Sequence, residues 1–170
     1  MTSGATHPTD VRAARDWAAE LGLPADVGIV ARLVRLDLLV RRVLDDITAA
    51  EGLSVADYLV LAVIRRSPAH RATPGRICEI LDRTSGGMTL TLDRLAGAGW
   101  VRRSADPADR RRVVVELTPA GLALATRVND ALHNWEEELG LAPAEQREIG
   151  RIIDTLLELF DTHRGPSRVP

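Results

Sequence analysis

A mainly helical fold interrupted by one β-hairpin is what this sequence predicts: an α+β winged helix-turn-helix lobe joined to a helical dimerisation region. Three observations lead there. Aromatic residues are few, three Trp, one Tyr and one Phe, while Leu, Ala, Val and Ile dominate, a composition suited to helices packed through aliphatic side chains. Apolar residues recur every three or four positions along most of the chain, the period of an amphipathic helix. That period is lost after Gly99, where two short strand-like segments flank a turn.

Taken in order, residues 1–10 are rich in Thr, Gly, Pro and Ser and predict a loose start, and residues 11–21 predict a short helix stopped by Gly22 and Pro24. From 28 to 50 the residues Ile29, Leu33, Leu36, Val40, Val43, Leu44 and Ile47 keep helical spacing up to Gly52. Ser54 stands three residues before Asp57, an N-terminal capping pattern that opens a helix running to about Arg66. Thr73 followed by Pro74 opens a short helix with Ile77, Ile80 and Leu81 as its stripe. Thr84 or Ser85 caps the next, with Met88, Leu92 and Leu95 on one face and Gly97 and Gly99 at its end. Two short helices meeting across Arg83 and Thr84 have the lengths of a helix-turn-helix. Residues 100–104 and 113–117 then predict strands around the turn residues Asp106, Pro107, Ala108 and Asp109, a wing. Thr118 and Pro119 restart a helix with Leu124, Val128, Ala131, Leu132, Trp135 and Leu139, broken at Gly140 and Pro143. Ile149, Ile152, Ile153, Leu156, Leu157 and Phe160 form a broad apolar stripe on the last helix.

The 170 residues, 45% hydrophobic and 27% charged, suit one domain with an extension, and no apolar run reaches the length of a membrane span. Residues 1–20 carry five charges and no apolar stretch of signal-peptide type, so a cytoplasmic location is expected. One cysteine, Cys78, and four scattered histidines exclude a disulfide framework or a structural zinc site. No nucleophile with a base, carboxylate pair, metal cluster or phosphate loop is present, so no catalytic residue, cofactor or enzyme activity is expected. The net charge is −2, yet residues 52–118 hold 11 Arg against 7 carboxylates and the remainder 11 Arg against 17. Opposite signs on separate segments suggest that one of them meets a polyanion.

The ordered motifs Leu81, Thr84, Met88-Thr89, Asp93-Arg94-Leu95, Gly99-Trp100-Val101, Arg103, Asp106-Pro107-Ala108-Asp109-Arg110-Arg111 and Leu117-Thr118-Pro119-Ala120-Gly121 run in register for about forty residues. They resemble the recognition helix and wing of the MarR family of bacterial transcription regulators. The resemblance implies a winged helix-turn-helix lobe at 53–118 and a dimerisation region at 25–52 and 119–164, with an extension at 1–24 and a tail at 165–170. It implies a homodimer on a pseudo-palindromic DNA operator, by family default a repressor released by a small anionic or aromatic ligand. A constitutive DNA-binding regulator and a winged-helix protein-interaction module are the alternatives; an arginine-rich wing has no purpose in the latter.

Thr84, Ser85, Gly86, Thr89 and Leu90 lie off the Met88, Leu92, Leu95 stripe and so are expected to face a major groove. Gly86 and Gly87 also read as a permissive first turn, and Leu90 stands where the family commonly has a polar or basic residue. Wing arginines suit a narrow minor groove. The resemblance places that role on Arg111, with Arg110 or Arg112 at phosphates and Asp109 shaping the loop. Arg94 is expected either at this face or bridged to a nearby carboxylate. The N-terminal helix with Trp17 resembles the extra helix of the urate-responsive subset, whose ligand meets a Trp, an Asp and two Arg. Trp17 and Arg103 match that set, Leu59 and Thr91 stand at the other two positions, and Asp57 is near the first of these, so Trp17, Arg103 and Asp57 are the candidate ligand contacts; Trp17 otherwise packs on the dimer helices. Cys78 reads as a small buried hydrophobe rather than an oxidant sensor.

Overall fold

The computed structural model describes residues 22, 28–105, 109 and 112–163. The chain divides into two units, residues 1–46 and 47–170. Helix α1, Ile29–Ala50, belongs to the first for most of its length. Within that unit it leaves Ile29, Val34, Leu38 and Val40 exposed, and an Arg41–Asp37 ion pair of 2.7 Å bridges one turn of its surface.

The second unit follows α1 with α2 (Val55–Arg66), a 3₁₀ turn (Pro68–His70), β1 (Arg71–Ala72), α3 (Pro74–Leu81) and α4 (Ser85–Gly97). The hairpin β2 (Val101–Ala105) and β3 (Val113–Leu117) comes next, then α5 (Pro119–Glu138) and α6 (Pro143–Thr162). Side chains fix four of the helix starts. The hydroxyls of Ser54, Thr73, Thr84 and Thr118 accept from the backbone N–H groups of Asp57, Arg76, Gly87 and Gly121, which otherwise lack helical partners. Proline follows Thr73 and Thr118, where a missing N–H loses nothing.

Between α3 and α4 the chain turns at Asp82, which adopts left-handed φ 50° and ψ 51°, with Arg83 N–H donating to Cys78 O at 3.0 Å. This is the helix-turn-helix corner. Val60, Leu61 and Ile64 of α2 and Ile77 of α3 are fully buried. Met88, Leu92 and Leu95 of α4, Val115 of β3 and Val128 of α5 complete the core around them. Each such side chain stabilises the fold by roughly 1.5–3 kcal/mol relative to exposure.

The sheet order is β1-β3-β2, antiparallel throughout. The hairpin matches expectation, with β2 displaced by one residue because Trp100 lies in the turn that Gly99 opens at φ 75°. Strand β1 was not foreseen. Its two residues are too short to show an alternation, and they become a strand only by pairing with β3, Arg71 opposite Glu116 and Ala72 opposite Val115. A second departure concerns α3. Ile77 enters the core, but Ile80, expected on the same stripe, is 48% exposed, and Cys78 is only half-buried.

Helix α5 buries Gly121, Leu124, Ala125 and Val128 in its first half and no residue in its second. Helix α6 buries none, and leaves Ile152, Ile153, Leu157 and Phe160 about as open as a surface charge. Among the described residues no single helix is long and apolar enough to cross a membrane.

The α5 start is locked to the wing. Thr118 N–H donates to Trp100 O at 3.0 Å, the Thr118 hydroxyl donates to Gly99 O at 2.7 Å, and Gly121 packs directly on the Trp100 carbonyl. A Cβ on Gly121 would stand 1.9 Å from that oxygen. In an open helix Gly→Ala stabilises by about 1 kcal/mol; here the sign reverses, because a backbone atom must move. Gly121→Ala is expected to destabilise the chain by at least about 2 kcal/mol in urea titration.

Candidate nucleic-acid interface

The candidate surface is built on α4. Helical geometry sends Met88, Thr91, Leu92 and Leu95 inward, where all four are buried. The same geometry leaves Thr84, Ser85, Gly86, Thr89 and Leu90 exposed, Leu90 by 70%. The five residues expected at the DNA face thus form one exposed patch on the N-terminal half of the helix. Thr89 donates its hydroxyl to Ser85 O at 3.0 Å, and Thr91 does the same to Gly87 O at 3.1 Å. The Thr89 oxygen keeps its acceptor capacity on the open side. Gly86 has open space where a Cβ would stand, consistent with an uncrowded first turn.

What holds α4 in place is its other end. Arg94, in the last turn, donates through Nε to both oxygens of Asp57 at 3.2 Å and through Nη2 to Oδ1. Asp57 is 6% exposed and sits three residues after the α2 cap, where it also accepts the Ser54 hydroxyl at 2.7 Å. The hydrogen bonds from Arg94 to Asp57, and then the charge itself, raise the guanidinium above its usual range. A carboxylate at a helix N-terminus and a cation at a helix C-terminus each complement the helix dipole, so the pair joins two favourable ends. Arg94 therefore takes the bridging role of its two alternatives. Asp57, a candidate ligand contact, has its carboxylate engaged by Arg94 and Ser54.

The wing carries a second set of charges. Arg71, Glu116 and Arg102 stand directly opposite one another across β1, β3 and β2. Glu116 Oε2 lies 3.2 Å from Arg71 Nε, and Oε1 2.7 Å from Arg102 Nε. The hydrogen bond from Arg102 holds the Glu116 carboxyl below the usual carboxylate range against the opposing effect of burial, with Ser104 and Arg71 contributing in the same direction. Sequence reading missed this ladder because its members are brought together only by the sheet; a single Glu inside the apolar run 113–117 was its one local signal. Arg103 lies on the opposite face of β2 from Arg102 and pairs with Asp93 of α4 at 2.8 Å. Arg112 is exposed, and its backbone N–H donates to the Asp109 carbonyl at 2.9 Å. Arg110, Arg111 and Trp17 lie outside the described residues. Among the described residues no His, Cys, Asp and Glu group could hold a metal ion.

This arrangement has known counterparts. The MarR family model matches residues 51–112, the segment from the end of α1 to the wing. The HTH-type transcriptional regulator PecS of Dickeya dadantii is 36% identical over 121 residues, covering 71% of this chain and 72% of PecS. The chain belongs to the MarR family. The multiple antibiotic resistance protein MarR of Escherichia coli is 35% identical over 83 residues, covering 49% of this chain and 56% of that protein. A crystal structure of a mutant E. coli MarR complexed with operator DNA aligns with a TM-score of 0.62 and 28% identity, over 75% of this chain and 93% of that one. PecS is an HTH-type transcriptional regulator.

In this MarR-family chain the Asp57–Arg94 pair should be worth most through what its loss leaves behind. Arg94 is about half exposed and its own attraction is screened, but Arg94→Ala orphans a buried carboxylate. The variant is expected to lose roughly 1–3 kcal/mol of stability. Adding Asp57→Asn should restore part of it, a non-additivity that a double-mutant cycle in urea reads directly.

Proposed function

We propose that this MarR-family regulator binds DNA sequence-specifically as a homodimer on a pseudo-palindromic operator. The observation that carries the proposal is the exposed patch of Thr84, Ser85, Gly86, Thr89 and Leu90 on a helix whose opposite face is fully buried. Hydroxyls reach base edges or phosphates, glycine admits close backbone approach, and Leu90 offers an apolar contact to a thymine methyl. The wing arginines Arg110, Arg111 and Arg112 complete the surface, Arg111 in the minor groove and its neighbours at phosphates, with Asp109 holding the loop. The E. coli MarR neighbour was crystallised with operator DNA, which supports the same use of the shared fold.

In this reading residues 53–118 are the DNA-binding lobe, and 25–52 with 119–164 the dimerisation region. The apolar residues of α6 support it, since Ile152, Ile153, Leu157 and Phe160 stay exposed in the single chain, and a second copy is the simplest cover for them. A dimer also answers a limit of reading, because one short helix reaches few bases and two reach half-sites a helical turn apart.

Repression follows if the operator overlaps a promoter. The effector is a small anionic or aromatic compound, for which Trp17, Arg103 and Asp57 are the candidate contacts. Such a ligand releases DNA only by binding the DNA-incompetent form more tightly.

Fluorescence anisotropy on operator DNA tests the reading. Affinity should fall steeply with salt as arginines displace condensed counterions. Arg111→Ala should weaken binding by roughly 1–3 kcal/mol without lowering thermal stability, and Thr89→Ala should change base preference. Wild-type affinity in both variants would place the DNA face elsewhere.

A further inference from the structure

We propose that the cleft between the end of α2, strand β1 and helix α3 is a binding site for a small amphipathic carboxylate, one with a carboxylate at one end and an apolar body at the other. The cleft has a volume of about 410 Å³, within the range of small-molecule sites. Arg66, Arg71 and Arg76 line it, and among the described residues no carboxylate does. Val63, Ala72 and Ile80 supply an apolar wall.

The three guanidiniums come from three elements and remain available to an anion. Arg71 gives Nε to Glu116 at 3.2 Å, and Arg76 gives Nη1 to Glu79 at 2.6 Å on the helix surface. A guanidinium has five N–H donors, so each retains several. Arg66 is exposed and has no carboxylate partner among the described residues. Guanidiniums bind a carboxylate through paired, charge-assisted hydrogen bonds.

Two further features argue for a built site. Ile80 is 48% exposed although it lies one turn from the fully buried Ile77, so α3 gives up a core position to present an aliphatic side chain to the cleft. Ser67 and Pro68 of the lining begin the turn that joins α2 to β1, and its next two residues lie between them and Arg71. Ala69 and His70 both adopt left-handed backbone, with φ 52° and 53°, and neither is glycine. His70 is held there by Nδ1 against Arg65 O at 2.8 Å and by its N–H donating to Ser67 O at 3.0 Å. Strain of this kind persists only where surrounding contacts enforce it, and it concentrates at binding sites.

The ligand class follows from the walls. A duplex phosphate offers charge with no apolar end, and an aliphatic wall of Val63, Ala72 and Ile80 would give it nothing. The site is independent of the effector contact proposed at Arg103. Strand β1 is the sheet edge opposite β2, and the cross-strand register puts Arg71 and Arg103 on opposite faces of the sheet. The inference does not rest on the DNA-binding reading.

The test is titration of phenylacetate into the full chain, followed by amide chemical shifts. Saturable shifts confined to residues 63–80 are expected. Arg66→Gln and Ile80→Gln, both at exposed positions, should each weaken binding by about tenfold while leaving other amides at their wild-type shifts, and 2-phenylethanol and inorganic phosphate should bind at least about tenfold more weakly than phenylacetate. The absence of saturable shifts by about 10 mM, or shifts centred outside the cleft, would overturn the proposal. Phosphate binding as tightly as phenylacetate would overturn the ligand class, as would a short DNA duplex shifting the same amides where phenylacetate does not.

Discussion

The ion pair between Asp57 and Arg94 is the constraint on which the recognition surface depends. It joins the first turn of α2 to the last turn of α4, thirty-seven residues apart in the chain. The carboxylate is also part of the α2 cap through Ser54, so one group sets the start of one helix and the end of another. With its C-terminal turn anchored and Met88, Leu92 and Leu95 buried, α4 has its rotation and depth fixed. Its first turns then project without needing contacts of their own. That is the physical meaning of an exposed Leu90 on an otherwise well-packed helix: the apolar side chain is left outside because the stripe that determines orientation lies elsewhere on the cylinder.

A similar economy of contacts places the wing. Gly99 turns the chain, the Trp100 carbonyl rests against Gly121, and Thr118 closes the junction by bonding to both Gly99 and Trp100. The end of α4, the start of β2 and the start of α5 are therefore bonded directly to one another. Glu116, buried between Arg71 and Arg102, ties the three strands together and leaves the outer sheet face with an excess of one positive charge. On a chain whose net charge is −2, the positive potential is local, confined to the segment that carries the helix-turn-helix and wing.

Much of this was legible in the sequence because it is encoded locally. Ser54, Thr73, Thr84 and Thr118 are short-range capping signals, and each caps the helix it was expected to cap. The 3.6-residue period separated Met88, Leu92 and Leu95 from Ser85, Thr89 and Leu90 correctly, since both sets lie on one continuous helix. What was not legible depends on residues distant in the chain. Strand β1 exists only as a partner of β3, and the Arg71–Glu116–Arg102 ladder exists only in that register. The exposure of Ile80 could not be told from its spacing, because a stripe shows which residues share a face but not how much of that face is covered. The capture of Asp57 by Arg94 was not legible for the same reason, since it requires α2 and α4 to be packed together.

In the proposed reading, two copies of this winged helix-turn-helix read DNA through the exposed first turns of α4. Selection of duplexes from a random pool by the purified full chain tests it most directly, since it presupposes neither an operator nor an effector. Enrichment of a pseudo-palindrome whose half-site centres lie about ten base pairs apart is expected. A pool that shows no enrichment, or that yields only an unpaired half-site, would contradict it.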